Sequence, residues 1–433
     1  MNTTQQPVRR RVAIITNNVH CERHVQYYAT MEKYFITNGW EVVDNFEADK
    51  VVICACGFHD AMLDKVMNVM AQLQKVYFPA NNVILLGCLP KTHEEALKER
   101  FGGHVVALGN EARLDRLTGA AVPFARVDDV NLFRAHHECS ITPDNELFAI
   151  KISTGCLRKC TFCVINKAKG PIKSVPLPEI ERQFRKAVSQ GKRRLFLMGE
   201  DSFAYGIDCG TTIIELLEHL VAIQPDVELY FGYLHNYWLR EYAEGIFSLC
   251  RRGIIRELHL GLQHVNDRVL ERMGRPGPFA EIYKLIRTIK EENPGFYMGC
   301  DIMVGFPGET EQEFEEMVEF FRNDRCFNKV RHFGYCDVKG AKSNHLDGKV
   351  PGPEVIRRWE FLDEVLEKRS SYIGLEEASR TDDATFKLTQ ERDYTFCKDS
   401  CMEEVEVSPE AKKSGLTMAA NDAVETEDGE FGF

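Results

Sequence analysis

Three cysteines near the middle of the chain carry the strongest chemical signal in the sequence. Cys156, Cys160 and Cys163 are spaced as CxxxCxxC and follow a strand-like run of residues. Three thiolates on one loop can bind three irons of a cubane iron–sulfur cluster and leave the fourth iron open to a chelating substrate. A zinc knuckle and buried structural cysteines are the alternatives, but zinc usually recruits a fourth Cys or His, and the nearest ones upstream lie at residues 136–139. The spacing therefore favours an open-sited cluster.

The composition sets the class of protein in which these cysteines act. The chain has 433 residues, of which 44% are hydrophobic and 15 are cysteine. An odd number of cysteines in a long chain without an apolar signal segment argues against a disulfide framework and favours metal binding. No apolar run approaches the length of a membrane span, so the sequence predicts a cytoplasmic protein that does not bind membranes.

The net charge of −12 is unevenly distributed along the chain. Residues 401–433 contain nine Asp or Glu and two Lys. Nonspecific nucleic-acid binding depends on Lys and Arg that replace counterions on the phosphates. A general phosphate-binding surface is therefore disfavoured and DNA is not expected as a partner, although a local basic groove is compatible with this balance.

Strand-like apolar runs alternate with helix-length segments in two series, and such alternation predicts parallel sheets covered by helices. The first series has predicted strands at 12–16, 51–55, 83–87 and 105–108, with a helix at 25–38. The second has predicted strands at 148–153, 194–198, 228–233, 257–262, 298–304 and 330–335. A long charged helix is predicted at 353–379, followed by short β-like segments at 384–388 and 403–407.

These patterns predict an α/β protein with three parts. Residues 1–125 form an N-terminal parallel-sheet, Rossmann-like domain, residues 145–380 a partial (βα)6 barrel, and residues 381–433 a short C-terminal β region with an acidic tail. In parallel barrels the chemistry gathers at the C-terminal ends of the strands. The cysteine loop, the segment 199–201, Gln263 and Gly305 all follow predicted barrel strands, which favours a single site at this end.

Five segments extend the signal of the cysteine loop across the barrel. In chain order, between residues 153 and 343, they read STGCLRKCTFCVINKAKG, LFLMGEDSFAYGID, HLGLQHVNDRVLERMGRP, DIMVGFPGETEQEFEE and HFGYCDVKGAKS. Together they resemble the radical S-adenosylmethionine (SAM) methylthiotransferase family. The resemblance implies that Cys156, Cys160 and Cys163 hold a 4Fe-4S cluster that binds SAM and cleaves it to a 5'-deoxyadenosyl radical.

The same resemblance implies a second, auxiliary iron–sulfur cluster in the N-terminal domain. The matching cysteines are Cys21, Cys56 and Cys88, which are 35 and 32 residues apart. Each lies at or just beyond the end of a predicted strand, so three loops at one sheet edge could bring them together. Such wide spacing is by itself also typical of scattered core cysteines.

The resemblance also implies contacts with SAM. Phe162 should pack near the adenine, while Gly199 and Glu200 lie where the family approaches the amino group of SAM. Gln263, Asp301 and Gly305 match positions of polar or close contacts on later strands. For each of these a structural role is the alternative: Phe162 as core, the two glycines as turns, and Asp301 as a capped or paired carboxylate.

The sequence departs from the family pattern in two places. His20 replaces the glycine before the first auxiliary cysteine, and Cys54-Ala55 replaces Asn-Thr before the second. Strand alternation would put Cys54 on the same side as Cys56, either as a spare ligand or as a buried thiol. A convincing copy of the family's small C-terminal β-barrel, which grips RNA or a protein, is not found after Thr381.

The expected function is insertion of sulfur, as a methylthio group, at an unactivated C–H bond. Tyr205 and Asp208 resemble the branch of the family that modifies a ribosomal-protein aspartate, which favours a peptide or small-molecule substrate over RNA. An external electron donor such as flavodoxin or ferredoxin is implied. The alternatives are a radical SAM enzyme whose auxiliary cluster anchors substrate or relays electrons in another transfer, rearrangement or cyclisation, and an RNA-binding or electron-transfer iron–sulfur protein that does not cleave SAM.

Overall fold

The computed structural model describes residues 9–16, 21–57, 61–127, 147–275 and 277–378. The segments 384–388 and 403–407, predicted to be β-like, and the acidic tail lie outside these described residues. In the part of the chain that is described, no helix is both long and apolar enough to cross a membrane.

The N-terminal part is a five-stranded parallel sheet in the order β2-β1-β3-β4-β5. This confirms the predicted Rossmann-like arrangement. Strand β2 was not predicted, because three residues are too few to show a period, and β5 is shorter than the predicted strand at 105–108. In chain order the elements are β1 (Arg11–Thr16), α1 (Glu22–Thr37), β2 (Glu41–Val43), β3 (Lys50–Ala55), α2 (Ala61–Lys75), β4 (Val83–Gly87), α3 (Leu89–Thr92), α4 (Glu94–Arg100), β5 (His104–Val105) and α5 (Glu111–Thr118).

Both faces of this sheet are buried, as expected of parallel strands covered by helices. On one face Val51, Ile53 and Leu85 pack against α2 and α4. On the other, Ile14 and Cys54 pack against α1 and α5. The alternation along β3 fixes the strand register, so the residues that follow each strand emerge at one edge.

The second part is a six-stranded parallel arc that makes the partial barrel. The strands form two hydrogen-bonded groups, β10-β9-β6 and β11-β12-β13, and single bridges from Leu229 to Ile255 and from Leu234 to Leu260 join the groups. The six strands are β6 (Leu147–Lys151), β9 (Arg194–Met198), β10 (Glu228–Phe231), β11 (Glu257–Gln263), β12 (Tyr297–Val304) and β13 (Lys329–Gly334). All six were predicted.

A short hairpin corrects the first predicted barrel strand. The run at 148–153 ends as a barrel strand at Lys151, and β7 (Ser153–Thr154) then pairs antiparallel with β8 (Lys173–Ser174). The cysteine loop lies between these two strands. The barrel helices are α6 (Ile165–Lys169), α7 (Leu177–Ser189), α8 (Ile213–Ile223), α9 (Asn236–Glu241), α10 (Ala243–Arg251), α11 (Asp267–Arg272), α12 (Phe279–Glu292), α13 (Glu311–Asn323) and α14 (Gly352–Ala378).

The two faces of the barrel strands carry different chemistry. Outward side chains such as Leu197, Leu260 and Ile302 join the helices in the largest core. Inward side chains form a small apolar cluster of Ala149, Phe196, Met198 and Tyr230. The inner faces of β11, β12 and β13 instead carry charged and polar groups, so the barrel interior is apolar on one side and polar on the other.

Helix α14 is held against the barrel by a buried ion pair. Arg358 Nη1 donates to Glu309 Oε1 at 2.9 Å, and both side chains are almost fully buried. Glu309 Oε2 accepts from the backbone N–H groups of Gly305 and Phe306. The turn at Gly305 has a positive φ of 74°, and Thr310 and Glu313 form a capping box at the start of α13.

The ion pair predicts a pH-dependent cost for Arg358→Met. Burial raises the pKa of Glu309 to about 7, against the opposing charge of Arg358. Between the pKa of Glu309 in the unfolded chain and pH 7, the folded protein therefore binds more protons than the unfolded chain. The free energy of unfolding falls as pH rises through this range. Without Arg358, the buried carboxylate of Glu309 must stay charged without its partner at pH 8, whereas at pH 6 it can take up a proton. We expect a loss of about 3–5 kcal/mol at pH 8 and less at pH 6, measured by urea unfolding.

Arg357→Met is the matched control for this variant. Arg357 is half exposed, and its ion pairs with Glu311 and Glu354 lie at the surface. Such pairs contribute about 0–1 kcal/mol. An equal loss for Arg358→Met at both pH values would contradict the role given to Glu309.

Candidate functional site

The loop of Cys156, Cys160 and Cys163 is tied back on itself. The backbone N–H of Cys156 donates to the carbonyl of Gly170 at 3.2 Å, and that of Cys163 donates to the carbonyl of Cys160 at 3.2 Å. Gly155, with φ of 80°, starts the loop where a Cβ would collide with the carbonyl oxygen of Pro171. Glycine is therefore required at this position.

Backbone N–H groups point at two of the three thiols. The N–H of Arg158 donates to Cys156 Sγ at 3.3 Å, and the N–H of Ile165 donates to Cys163 Sγ at 3.4 Å. Burial raises the pKa of Cys156 above its usual range and that of Cys163 to about 11, and the neighbouring thiols add to both. The thiolate forms of Cys156 and Cys163 therefore need nearby positive charge, which bound iron would supply. The donor set therefore fits an iron–sulfur cluster.

A polar shell that the sequence reading did not identify surrounds this loop. The Cys156 thiol lies 3.6 Å from Asp201 Oδ2, and Trp238 Nε1 donates to Asp201 Oδ1 at 2.7 Å. The guanidinium of Arg158 stacks on the rings of Tyr237 and Trp238, with its carbon 3.7 and 4.4 Å from the ring centres. The only sequence signal of this polar shell is the position of Arg158 inside the cysteine motif, because Tyr237 and Trp238 lie 79 and 80 positions later.

Phe162 lies beside a buried apolar cluster and the partly buried guanidinium of Arg275. Its ring packs edge-on against Phe306, with ring centres 6.5 Å apart, and joins the cluster that includes Tyr335. The guanidinium carbon of Arg275 is 5.7 Å from the centre of the Phe162 ring. Arg275 was also missed by the sequence reading, although it falls within the segment HLGLQHVNDRVLERMGRP.

Arg275 has the properties of a carboxylate ligand. Its Nη1 donates to the carbonyl of Gly261 at 2.5 Å, while its buried Nε has no hydrogen-bond partner among the described residues. Its charge lowers the pKa of Cys163 against the larger effect of burial. A guanidinium with a spare donor beside an open-sited cluster suits the carboxylate of an amino acid that chelates the open iron.

The other predicted SAM contacts lie at the ends of barrel strands, but their surroundings differ. Gly199 follows β9, and a Cβ there would collide with Ser153 Oγ. Gln263 ends β11 with a positive φ of 73°. Gly305 follows β12, and a Cβ there would press into Val355 of α14. The structure therefore accounts for the two glycines by packing, and their contact with SAM stays a prediction, as does that of Gln263.

Asp301 is fully engaged in an ion pair inside the barrel. Arg331 donates to both of its carboxylate oxygens, at 2.7 and 2.9 Å, and His259 Nε2 lies 2.7 Å from Oδ1. Arg331 Nη2 also donates to the hydroxyl of Tyr233 at 2.8 Å. Although burial raises the pKa of Asp301, Arg331 and His259 together hold it well below its usual range. This arrangement corresponds to the paired carboxylate, and a contact with SAM stays a prediction.

The residues that suggested a peptide substrate have structural roles. Asp208 accepts from the N–H and hydroxyl of Ser174 at 2.9 and 2.5 Å, so it fixes strand β8 of the hairpin. Tyr205 is buried in the main core. Neither residue therefore informs on the substrate through direct contact.

Cys21, Cys56 and Cys88 all lie at the carboxyl edge of the N-terminal sheet. Cys21 is the exposed N-cap of α1, Cys56 is buried just after β3, and Cys88 is half buried between β4 and α3. Burial raises the pKa of the Cys88 thiol, the charge of Lys169 opposes that rise, and the charge of Cys56 adds to it. The parallel topology thus places the three cysteines at one edge of the sheet, and their role as ligands stays a prediction.

A single cation would need a tighter arrangement than these loops provide. Among the described residues, no group of three or more His, Cys, Asp and Glu side chains is arranged to hold one metal ion. A cubane cluster differs because its three protein ligands bond three separate irons.

Cys54 belongs to the core of the sheet. It is fully buried, packs with Ile14 and Met31, and burial raises the pKa of its thiol to about 12. A neutral thiol in this setting behaves as a small apolar side chain. Of the two interpretations left open by the sequence, the buried thiol is the one that the structure supports.

The two cysteine groups are connected through Glu200. Its Oε2 accepts from the N–H of Gly155 at 2.8 Å, next to Cys156. Its Oε1 lies 3.3 Å from Arg23 Nε and 3.5 Å from Lys169 Nζ. Arg23 follows Cys21 in α1, and Lys169 ends the helix that follows Cys163. Both carboxylate oxygens of Glu200 are thus engaged by protein groups, from the N-terminal part and from the barrel part. The predicted contact of Glu200 with the amino group of SAM stays a prediction.

Comparison with known proteins agrees with the fold. Residues 150–321 match the family model of the Radical SAM superfamily, and residues 13–109 match that of the Uncharacterized protein family UPF0004. A solved structure of the cobalamin-dependent S-adenosylmethionine radical enzyme OxsB has a TM-score of 0.50 at 11% identity, covering 82% of this chain and 56% of that one. At that identity the likeness is one of fold.

Two relatives narrow the class. The ribosomal protein uS12 methylthiotransferase RimO of Desulfotalea psychrophila is 28% identical over 78% of this chain and 79% of its own length. The probable threonylcarbamoyladenosine tRNA methylthiotransferase of Pyrococcus horikoshii is 27% identical over 78% of this chain and 81% of its own length. The two matched regions, in this order and with these relatives, support a radical SAM methylthiotransferase family for this chain.

The position of Cys54 predicts that Cys54→Ala leaves iron binding unchanged. Because its thiol lies within the sheet core, the substitution should cost about 1 kcal/mol of stability and no iron. Iron and acid-labile sulfide per chain, measured after anaerobic reconstitution, should equal those of the wild type. A drop in iron content would show instead that Cys54 is a ligand.

The environment of Arg275 predicts that Arg275→Met weakens SAM binding. A hydrogen bond between charged partners contributes about 1.5–3 kcal/mol, which corresponds to roughly a tenfold to hundredfold rise in Kd. Arg240→Met is the control, since Arg240 is exposed and pairs with Glu281 on the surface. Equilibrium binding of SAM to the reconstituted variants measures the effect, and an unchanged Kd for Arg275→Met would refute the assignment.

Proposed function

We propose that this protein uses SAM and two iron–sulfur clusters to insert a methylthio group at an unactivated C–H bond of its substrate. Cys156, Cys160 and Cys163 would hold the SAM-binding 4Fe-4S cluster. The auxiliary cluster would be held by Cys21, Cys56 and Cys88. The observation that carries this proposal is that Glu200 accepts from the N–H of Gly155 beside Cys156 and also pairs with Arg23, which lies two residues after Cys21.

The bound groups would supply reductive cleavage of a carbon–sulfur bond, hydrogen-atom abstraction and the sulfur atom. The protein's own side chains would position the reactants. Arg275 would bind the carboxylate of SAM, and Phe162 with the apolar cluster around Tyr335 would cover its adenosyl part. A buried apolar wall at this position excludes water, which protects a reactive intermediate from side reactions.

The barrel interior would hold the substrate. Its polar side consists of the Asp301 ion pair with Arg331, to which Tyr233 and His259 are hydrogen-bonded. Burial lowers the pKa of His259, against the charge of Asp301, so its ring stays neutral near pH 7. The network is therefore close to electrically neutral and fixes the shape of this wall. It offers oriented dipoles to a polar substrate group rather than a net charge.

The acceptor that we favour is a peptide or small molecule, with RNA as the second candidate. One relative carries the name of a methylthiotransferase of ribosomal protein uS12 and another that of a tRNA methylthiotransferase. The name of the first relative supports a protein segment as the acceptor. The name of the second supports RNA, so RNA is kept as a candidate. An external reductant such as flavodoxin or ferredoxin would supply the electron.

Two triple variants test the proposal. Replacing Cys156, Cys160 and Cys163 with Ala should abolish the formation of 5'-deoxyadenosine, because no cluster would reduce SAM. Replacing Cys21, Cys56 and Cys88 with Ala should lower iron by about half and abolish methylthio transfer while SAM cleavage continues. Product formation is measured by mass spectrometry of a uS12 peptide and of tRNA incubated with enzyme, SAM and reductant.

Cys54→Ala serves as the control, since it also removes a cysteine of the N-terminal sheet. Wild-type protein that forms no 5'-deoxyadenosine would overturn radical chemistry altogether. Full iron content in the Cys21, Cys56 and Cys88 variant would overturn the auxiliary cluster. Sustained SAM cleavage by the wild type that leaves both acceptors without a methylthio group would favour a different transfer reaction or a different substrate.

A further inference from the structure

The three thiols of the cysteine loop differ in where their N–H donors come from. Cys156 and Cys163 each receive a backbone N–H from the residue two positions later, at 3.3 and 3.4 Å. Among the described residues, Cys160 has no backbone donor of this kind, and the polar atom that reaches its Sγ is Nε2 of His235, at 3.8 Å. Sulfur is a large, weak acceptor, so an N–H contact at this distance is within reach. The third thiol is thus served by a residue 75 positions later in the chain.

The proton on the ring of His235 is placed by its other nitrogen. The backbone N–H of Tyr237 donates to His235 Nδ1 at 3.1 Å. Because a backbone N–H can only donate, Nδ1 is the acceptor and carries no proton. The proton of the neutral imidazole then lies on Nε2, which is the nitrogen that faces Cys160. His235 is therefore oriented as a donor toward this thiol.

His235 is held in this position from outside the cysteine loop. It is the N-cap of α9 and lies in the connection between β10 and this helix. The first turn of α9 carries Trp238, whose Nε1 donates to Asp201 at 2.7 Å and whose ring lies under the guanidinium of Arg158. Since Arg158 belongs to the cysteine loop, these contacts fix the start of α9, and with it the imidazole, against the loop.

We propose that His235 is a positioning residue of the SAM-binding cluster, to which it supplies the third N–H donor through the thiolate of Cys160. This inference rests on the proposed function, since it assumes that Cys156, Cys160 and Cys163 hold a 4Fe-4S cluster. Hydrogen bonds to the sulfur atoms stabilise the added negative charge of the reduced state and so raise the reduction potential. The imidazole would thus make this cluster easier for an external donor to reduce.

Two replacements separate the capping role of His235 from its contact with Cys160. The amide oxygen of Asn can replace Nδ1 and still cap α9, but the side chain is too short to reach Cys160. The amide nitrogen of Gln reaches close to the place of Nε2 and can still donate. We expect the midpoint potential of the cluster to become more negative in His235→Asn and to return most of the way to the wild-type value in His235→Gln. A role confined to packing or capping would not give this order.

His264→Asn is the matched control. His264 has the same local arrangement, since it follows β11 and its Nδ1 accepts from the backbone N–H of Asn266, two residues later, at 3.0 Å. It is fully buried, and its Nε2 lies 3.9 Å from Glu309 Oε2. It has no described contact with the three thiols of the cysteine loop. Its replacement also removes a buried imidazole, yet it should leave the potential unchanged.

The measurement is an anaerobic redox titration followed by electron paramagnetic resonance. It is made without SAM on the reconstituted two-cluster protein and repeated in full-length chains with Cys21, Cys56 and Cys88 replaced by Ala. A more negative potential in His235→Asn, with His235→Gln near the wild type and His264→Asn unchanged, supports the proposal. Equal potentials in His235→Asn and wild type overturn it. A shift that appears only after SAM is added also overturns it, because His235 would then contact SAM and not the thiolate.

A variant that loses the cluster is also decisive. If His235→Asn retains no SAM-binding cluster, restored cluster binding in His235→Gln supports the contact with Cys160, and failure of His235→Gln to restore it overturns the contact. Wild-type protein that binds no 4Fe-4S cluster on Cys156, Cys160 and Cys163 contradicts the proposed function itself. Iron and acid-labile sulfide per chain distinguish these cases.

Discussion

Burying the charge of Glu200 is the constraint around which the two parts of this protein are arranged. An ionised carboxylate removed from water costs several kcal/mol unless partners replace its hydration. Those partners come from separate places: Arg23 from helix α1 of the N-terminal part, Lys169 from the end of α6 after the cysteine loop, and the N–H of Gly155 from the start of the loop. Satisfying one carboxylate thus fixes the sheet, the loop and the barrel relative to one another.

Strand direction supplies the second constraint. In parallel sheets all carboxyl ends lie at one edge, and the residues just beyond them can meet although they are far apart in sequence. Cys56 and Cys88 follow adjacent strands of one sheet. The Cys156 loop and Glu200 follow adjacent strands of the other. Two parallel sheets that face each other with these edges therefore bring two groups of thiols together.

Features that depend on a local sequence pattern were predicted from the sequence. Ion pairs between residues that are far apart in the chain were not. Strand periods gave both parallel sheets, and cysteine spacing gave the Cys156 loop. The partners of Glu200 were not predicted, because nothing near residue 200 indicates a pairing with Arg23, 177 positions earlier. Asp301 likewise could be recognised as a paired carboxylate only once β13 had placed Arg331 beside it. Such long-range pairs decide whether a residue is free to bind a cofactor.

The central claim is that two clusters lie close together between the sheet and the barrel. Dipolar coupling between two reduced, paramagnetic clusters tests it most directly, because the coupling falls steeply with distance. In the fully reduced protein we predict a broadened, power-dependent resonance that becomes a simple uncoupled signal when either cysteine group is replaced with Ala. A wild-type spectrum equal to the sum of the two single-cluster spectra would contradict the account.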